Sequence, residues 1–134
     1  MEEILLSSRI IEQIENHLQS CLPEEGCGIV GGLNNQGLGW FPITNMLHSP
    51  SKYKMDPQEQ LDAFLEIEKN QWEILGIVHS HPNTPPIPSE TDIAEAYYPE
   101  TVYLIFSPYN NGWRFSGYMI QNKAIKEVKI IIQE

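Results

Sequence analysis

Ile74-Leu75-Gly76-Ile77-Val78-His79-Ser80-His81-Pro82-Asn83-Thr84-Pro85-Pro86-Ile87-Pro88-Ser89-Glu90-Thr91-Asp92 carries the reading of this chain. Its first five residues form an apolar run between polar stretches, which predicts a buried strand. The strand ends in His79-Ser80-His81. Residues i and i+2 of a strand face the same side, so both imidazoles leave the strand end together. Two imidazoles that close can chelate one metal ion, and imidazole suits zinc. The following loop has prolines at 82, 85, 86 and 88. Such a loop is stiff and loses little entropy on ordering. It leads to Ser89 and Asp92. Two His and one carboxylate make a three-ligand zinc set with a fourth position left for water.

Working outward, the element before this strand has an explicit start. Asp56-Pro57-Gln58-Glu59 places Asp at the N-cap, Pro at N1 and Glu at N3. A helix is predicted from there to about Asn70, with Leu61, Phe64, Leu65 and Ile67 available for burial. Further back, Ile10, Ile11, Ile14 and Leu18 recur at helical spacing, which predicts a helix over 8–20 with Ser8 as N-cap. Gly26 to Gly32 reads as a closely packed strand, and Asn34 to Gly37 as a turn into a second strand, Leu38 to Thr44. Residues 45–55 show little regularity. His48 there, and His17 in the first helix, read as ordinary histidines.

Downstream, Ser89 begins a helix running to about Tyr98, and Thr101 to Phe106 is a second apolar strand. Asn110-Asn111-Gly112 is a tight hairpin turn into Trp113 to Ile120. The last strand, Ala124 to Ile132, offers Ile125, Val128, Ile130 and Ile132 to the core. The order α-β-β-α-β-α-β-β-β predicts an α/β fold, a single mixed β-sheet flanked by helices, in one domain spanning 1–134.

Composition narrows the function classes. The chain has 18 acidic and 8 basic residues, a formal charge of −10, and no Lys/Arg cluster. A nucleic-acid partner is therefore not expected. No run of ~20 apolar residues exists, so no membrane span is expected. The N-terminus Met1-Glu2-Glu3-Ile4-Leu5-Leu6 is acidic where a signal peptide needs a basic region. A cytoplasmic protein with two reduced thiols, Cys21 and Cys27, is expected; a disulfide between them is neither excluded nor supported by the sequence. The oligomeric state is not legible.

The spacing H-x-H, seven residues, S, two residues, D resembles the signature of the JAMM (MPN-plus) metallopeptidases. Pro23-Glu24-Glu25-Gly26-Cys27-Gly28 is similar to the P-x-E-x-C-G segment of the same family, with Glu25 at the Glu position. The resemblance covers about Leu22 to Pro108 and implies a curved sheet related to the cytidine-deaminase-like fold. It implies zinc on His79, His81 and Asp92, Glu25 as general acid/base, and Ser89 positioning water or an oxyanion. It also implies a substrate class: a peptide or isopeptide bond after the extended C-terminal tail of a ubiquitin-like or sulfur-carrier protein. Such a tail can lie along a strand by β-addition. The chain is short, with little room for the inserted segments that grip ubiquitin in deubiquitinating members, so it looks more like the small stand-alone prokaryotic type.

Other readings stay open on the residues alone. Ser89-x-x-Asp92 is also a capping-box pattern, and capping and catalysis can coexist. An inactive MPN scaffold or binding module would keep the fold and lack the ligands, all of which are present here. A zinc deaminase would need H-x-E with P-C-x-x-C, and neither occurs. A thiol hydrolase built on Cys27 would need a neighbouring histidine.

Overall fold

The computed structural model describes residues 1–134. The elements are β1 (Glu3–Ser7), α1 (Ser8–Cys21), β2 (Cys27–Leu33), β3 (Gln36–Ile43), α2 (Pro57–Lys69), β4 (Glu73–Ser80), α3 (Glu90–Ala94), β5 (Val102–Tyr109), β6 (Gly112–Gln121) and β7 (Ala124–Gln133). The strands form one mixed sheet in the order β1-β3-β2-β4-β5-β6-β7. β4 pairs antiparallel with β2 and parallel with β5, so the His-bearing strand is central. The sheet curls until β1 joins β7 in parallel and touches β3 through the single pair Leu5–Gln36, closing it into a barrel. This is an α/β fold with helices packed on a mixed sheet, as the element order predicts.

Strand periodicity divides the interior in two. Along β4, Val78 joins a core with Ile10, Ile11, Ile14 and Leu18 of α1, and Leu75, of the opposite parity, joins it too because the pairing with β2 shifts register between Ile74 and Gly76. Ile77 points the other way and packs with Ala63 and Ile67 of α2. β5 divides alike, with Leu104 and Phe106 toward α1 and Tyr103 toward α2. Both strands are buried on both faces, which is why their sequences read as near-continuous apolar runs. His79 lies two residues beyond Ile77 and shares its face. The candidate centre is thus built on the side of the sheet away from α1.

Several expectations are corrected. β1 was not anticipated; Ile4-Leu5-Leu6 forms a strand whose Ile4 and Leu6 are fully buried. The α1 cap is Ser7, whose hydroxyl accepts the Ile10 N–H at 3.1 Å, and not Ser8. On α2, Ala63 and Ile67 are buried at i, i+4, whereas Leu61 and Leu65 stay about half exposed on the next face. On β7 only Val128 is buried. Ile125 has the opposite strand parity and Ile132 sits at the strand end, so both are exposed. α3 ends at Ala94, short of Tyr98, where the Tyr98 N–H instead donates to the Tyr103 hydroxyl at 3.0 Å.

Candidate metal centre

β4 and α3 bring three ligand atoms together. His79 Nε2 lies 3.1 Å from His81 Nε2, and Asp92 Oδ2 lies 3.2 Å from the first and 3.0 Å from the second. All three residues are largely buried. The His81 backbone is held by its N–H donating to Phe106 O at 2.8 Å, and its ring by Nδ1 at 2.9 Å from Pro85 O. A carbonyl only accepts, so Nδ1 carries the proton and Nε2 of the neutral ring turns its lone pair toward the centre. Asp92 Oδ2 also accepts the Ser89 N–H at 2.9 Å.

The proline loop acts as a frame of acceptors. Thr84 O takes the Ser107 hydroxyl at 2.7 Å, Pro85 O takes His81, and Pro86 O takes the Tyr118 hydroxyl at 3.0 Å. This pins the connection between the two histidines and the carboxylate to β5 and β6.

These residues suit a metal ion. Their ligand atoms lie within 4.8 Å of one another, and the donor set is two imidazoles and a carboxylate. Such a set matches a three-ligand zinc site. The geometry presses two imidazole nitrogens against one carboxylate oxygen. Burial opposes the charged forms, but the contacts outweigh it. Asp92 is held well below the usual carboxylate range by His79 and His81, and His81 is raised by Asp92 and Pro85.

Glu25 stands just before β2, in register with the end of β4, where Cys27 pairs with His79. Its main chain is fixed on both sides. The Glu25 N–H donates to Ser49 O at 2.8 Å, and Glu25 O accepts from Asn45 Nδ2 at 3.0 Å. The next residue, Gly26, donates its N–H to the Ser80 hydroxyl at 2.8 Å. A Cβ at Gly26 would meet Leu18 Cδ2 at 2.7 Å, so this close approach admits only glycine without displacement. The Glu25 side chain is 4 % exposed and its Oε1 has no hydrogen-bond partner. Burial pushes its carboxyl up to about 8, with His81 opposing and the Asp92 charge adding. A buried carboxyl that titrates near neutrality is suited to moving protons.

Ser89 is the N-cap of α3. Its hydroxyl accepts the Asp92 N–H at 3.0 Å while Asp92 Oδ2 accepts the Ser89 N–H, so the capping box forms. The Ser89 hydroxyl hydrogen remains free to donate, and the residue is exposed.

Other candidates resolve differently. Cys27 is fully buried, its Sγ donates to Ile43 O at 3.4 Å, and burial pushes the thiol up to about 12. The histidine near it, His17, contacts its carbonyl oxygen at 3.1 Å rather than its sulfur. This is no nucleophile pair. Cys21 and Cys27 are free thiols. His48 is exposed and pairs with Glu24 at 3.1 Å.

Three supporting residues were not singled out in the sequence. Ser80 carried a signal, since it alternates with two candidate ligands and must face the other way. Asn45 and Tyr53 carried none. A cavity of about 500 Å³ opens beside the centre, lined by Tyr53, Met55, Ile77, Tyr97, Tyr98 and Tyr103 among others.

Fold and site together define a JAMM-type peptidase or isopeptidase. The family model for prokaryotic homologs of the JAB domain matches residues 7–117, and the chain belongs to that family. It is 36% identical over 110 residues to a desampylase of Pyrococcus furiosus, covering 81% of this chain and 76% of the relative. It is 27% identical over 136 residues to a CysO-cysteine peptidase of Mycobacterium tuberculosis, covering 98% and 92%. Among solved structures, protein DSY2949 of Desulfitobacterium hafniense superposes with a TM-score of 0.89 at 34% identity, covering 98% of this chain and 93% of that one. No helix is long and apolar enough to cross a membrane.

Proposed function

We propose that this protein is a zinc-dependent hydrolase that cleaves the peptide or isopeptide bond after the C-terminal tail of a ubiquitin-like or sulfur-carrier protein. The observation that carries the reading is the convergence of His79, His81 and Asp92 with the buried Glu25 carboxyl at the adjoining start of β2. The names of the relatives, a desampylase and a CysO-cysteine peptidase, support the substrate class.

His79, His81 and Asp92 would hold the zinc. Zinc in such a set lowers the pKa of its water to about 7 and polarises a carbonyl as a Lewis acid. Glu25 takes the proton of the attacking water and delivers it to the leaving amine. Its burial keeps bulk water from competing for that proton. The Ser89 hydroxyl, with its hydrogen uncommitted, donates to the developing oxyanion. The cavity receives residues flanking the scissile bond. Ile77, which lines it, lies on the His79 face of β4, one strand repeat from that candidate ligand.

Elemental analysis of the purified protein should find one zinc per chain, lost in His79→Ala/His81→Ala. Glu25→Gln should retain zinc and lose nearly all turnover on carrier conjugates. Full activity of Glu25→Gln would remove the proton-transfer role. Efficient cleavage of an unrelated peptide, with a panel of carrier–amino-acid conjugates untouched, would overturn the substrate class.

A further inference from the structure

One side chain stands between the metal centre and the cavity. The Tyr53 ring stacks on the His79 imidazole, with centroids 4.7 Å apart and planes 21° from parallel. Tyr53 also lines the cavity. The two histidines differ in how their outer nitrogens are held. His81 Nδ1 is bonded to Pro85 O, whereas His79 Nδ1 is buried and has no hydrogen-bond partner. A ligating imidazole usually has its ring orientation fixed by a hydrogen bond from that second nitrogen. His79 lacks this restraint.

We propose that Tyr53 is the positioning residue for His79, fixing the ligand ring by stacking where the companion histidine is fixed by a hydrogen bond. The face of a tyrosine ring is the negative end of its quadrupole, and coordination draws electron density out of an imidazole. The stack therefore strengthens as the metal loads, by the electrostatics that attract a cation to an aromatic face.

The segment bearing Tyr53 is built to hold it still. Asn45, buried at its start, uses its whole amide. Nδ2 donates to Glu25 O and Lys52 O, each at 3.0 Å, and Oδ1 accepts from Leu47 N at 3.0 Å and Lys54 N at 3.1 Å. Two of these bonds flank Tyr53 directly. A bridge between Asn45 and Met55 closes the segment. One side chain thus ties the backbone of Glu25 to the strap that presses Tyr53 on His79. The His81 ring is held by Pro85 O and the Asp92 carboxylate by the Ser89 N–H, whereas the His79 ring rests on Tyr53.

The inference rests on His79, His81 and Asp92 being the ligands, and the test separates the two. Zinc affinity is measured by chelator competition on wild type, Tyr53→Phe and Tyr53→Leu, with circular dichroism confirming the fold. Tyr53→Phe keeps the ring and should keep wild-type affinity. Tyr53→Leu removes it and should bind zinc about 10–100-fold more weakly. Wild-type affinity in Tyr53→Leu, or an equal loss in Tyr53→Phe, would overturn the role of the ring. Failure of wild type to bind zinc would remove the ligand assignment, and the positioning role with it. Should Tyr53→Leu not fold, NMR of zinc-loaded wild type decides the matter. Stacking shifts the His79 ring protons upfield by the tyrosine ring current, and unshifted resonances would overturn the proposal.

Discussion

The fold opposes the ionisation of Glu25. Its ordinary value of 4.5 rises to about 8, mainly through burial. A group raised in the folded state contributes stability that is present below its unfolded value and lost as pH rises through the folded one. The metal-free protein should therefore weaken between about pH 4.5 and pH 8, by on the order of several kcal/mol. His81, also raised, acts in the same direction, while Asp92, lowered, acts only in acid. Glu25→Gln isolates the first contribution. Urea denaturation at about pH 5 and about pH 8.5, with chelator present, should show the variant gaining on wild type as pH rises. A pH-independent difference between the two would mean that Glu25 is not desolvated.

At the scale of elements, the segment between β3 and α2 matters more than its irregular sequence suggests. Asn45 saturates its amide against four backbone groups, one of them Glu25 O. Asn45→Ala would leave several of these without partners in a buried place. The expected cost is about 2–4 kcal/mol of stability, read from denaturant unfolding. Zinc affinity should fall with it, because the Tyr53 stack loses its support. A variant as stable as wild type would show that water replaces the amide. The proline loop is the complementary case. Pro85 and Pro86 have no N–H to satisfy, so their carbonyls serve as acceptors for His81 and Tyr118 with no donor left stranded.

For the whole molecule, the centre couples regions far apart in sequence. Glu25 precedes β2, the histidines end β4, and Asp92 lies on α3. A metal that binds this assembly and not the unfolded chain stabilises the fold by mass action. At free zinc about 100 times the dissociation constant the gain is about 2.7 kcal/mol. Chelator should remove that increment, and His79→Ala/His81→Ala should show none of it in thermal unfolding at matched zinc. An increment surviving in the double variant would place the bound metal elsewhere on the molecule.

The candidate ligands and most strands were legible in the sequence because they rest on short-range order, whereas Glu25 was singled out by the resemblance of its segment. Alternation along β4 puts His79 and His81 on one face, and the spacing from that pair to Ser89-x-x-Asp92 points to Asp92. Strand β1 was hidden because five residues at a chain end carry too little periodicity, and its pairing partner, β7, is more than a hundred residues away. Exposure of Leu61, Leu65, Ile125 and Ile132 was equally hidden, since local pattern states which residues can be buried and packing decides which are. Asn45 and Tyr53 had no local signature at all. Their roles exist only where β2, β4 and the strap meet, because a saturated amide and a stacked ring are properties of neighbours in space. The sequence alone determined which residues are candidates for the chemistry; only the tertiary structure decided what holds them in place, since that support comes from contacts the chain order does not contain.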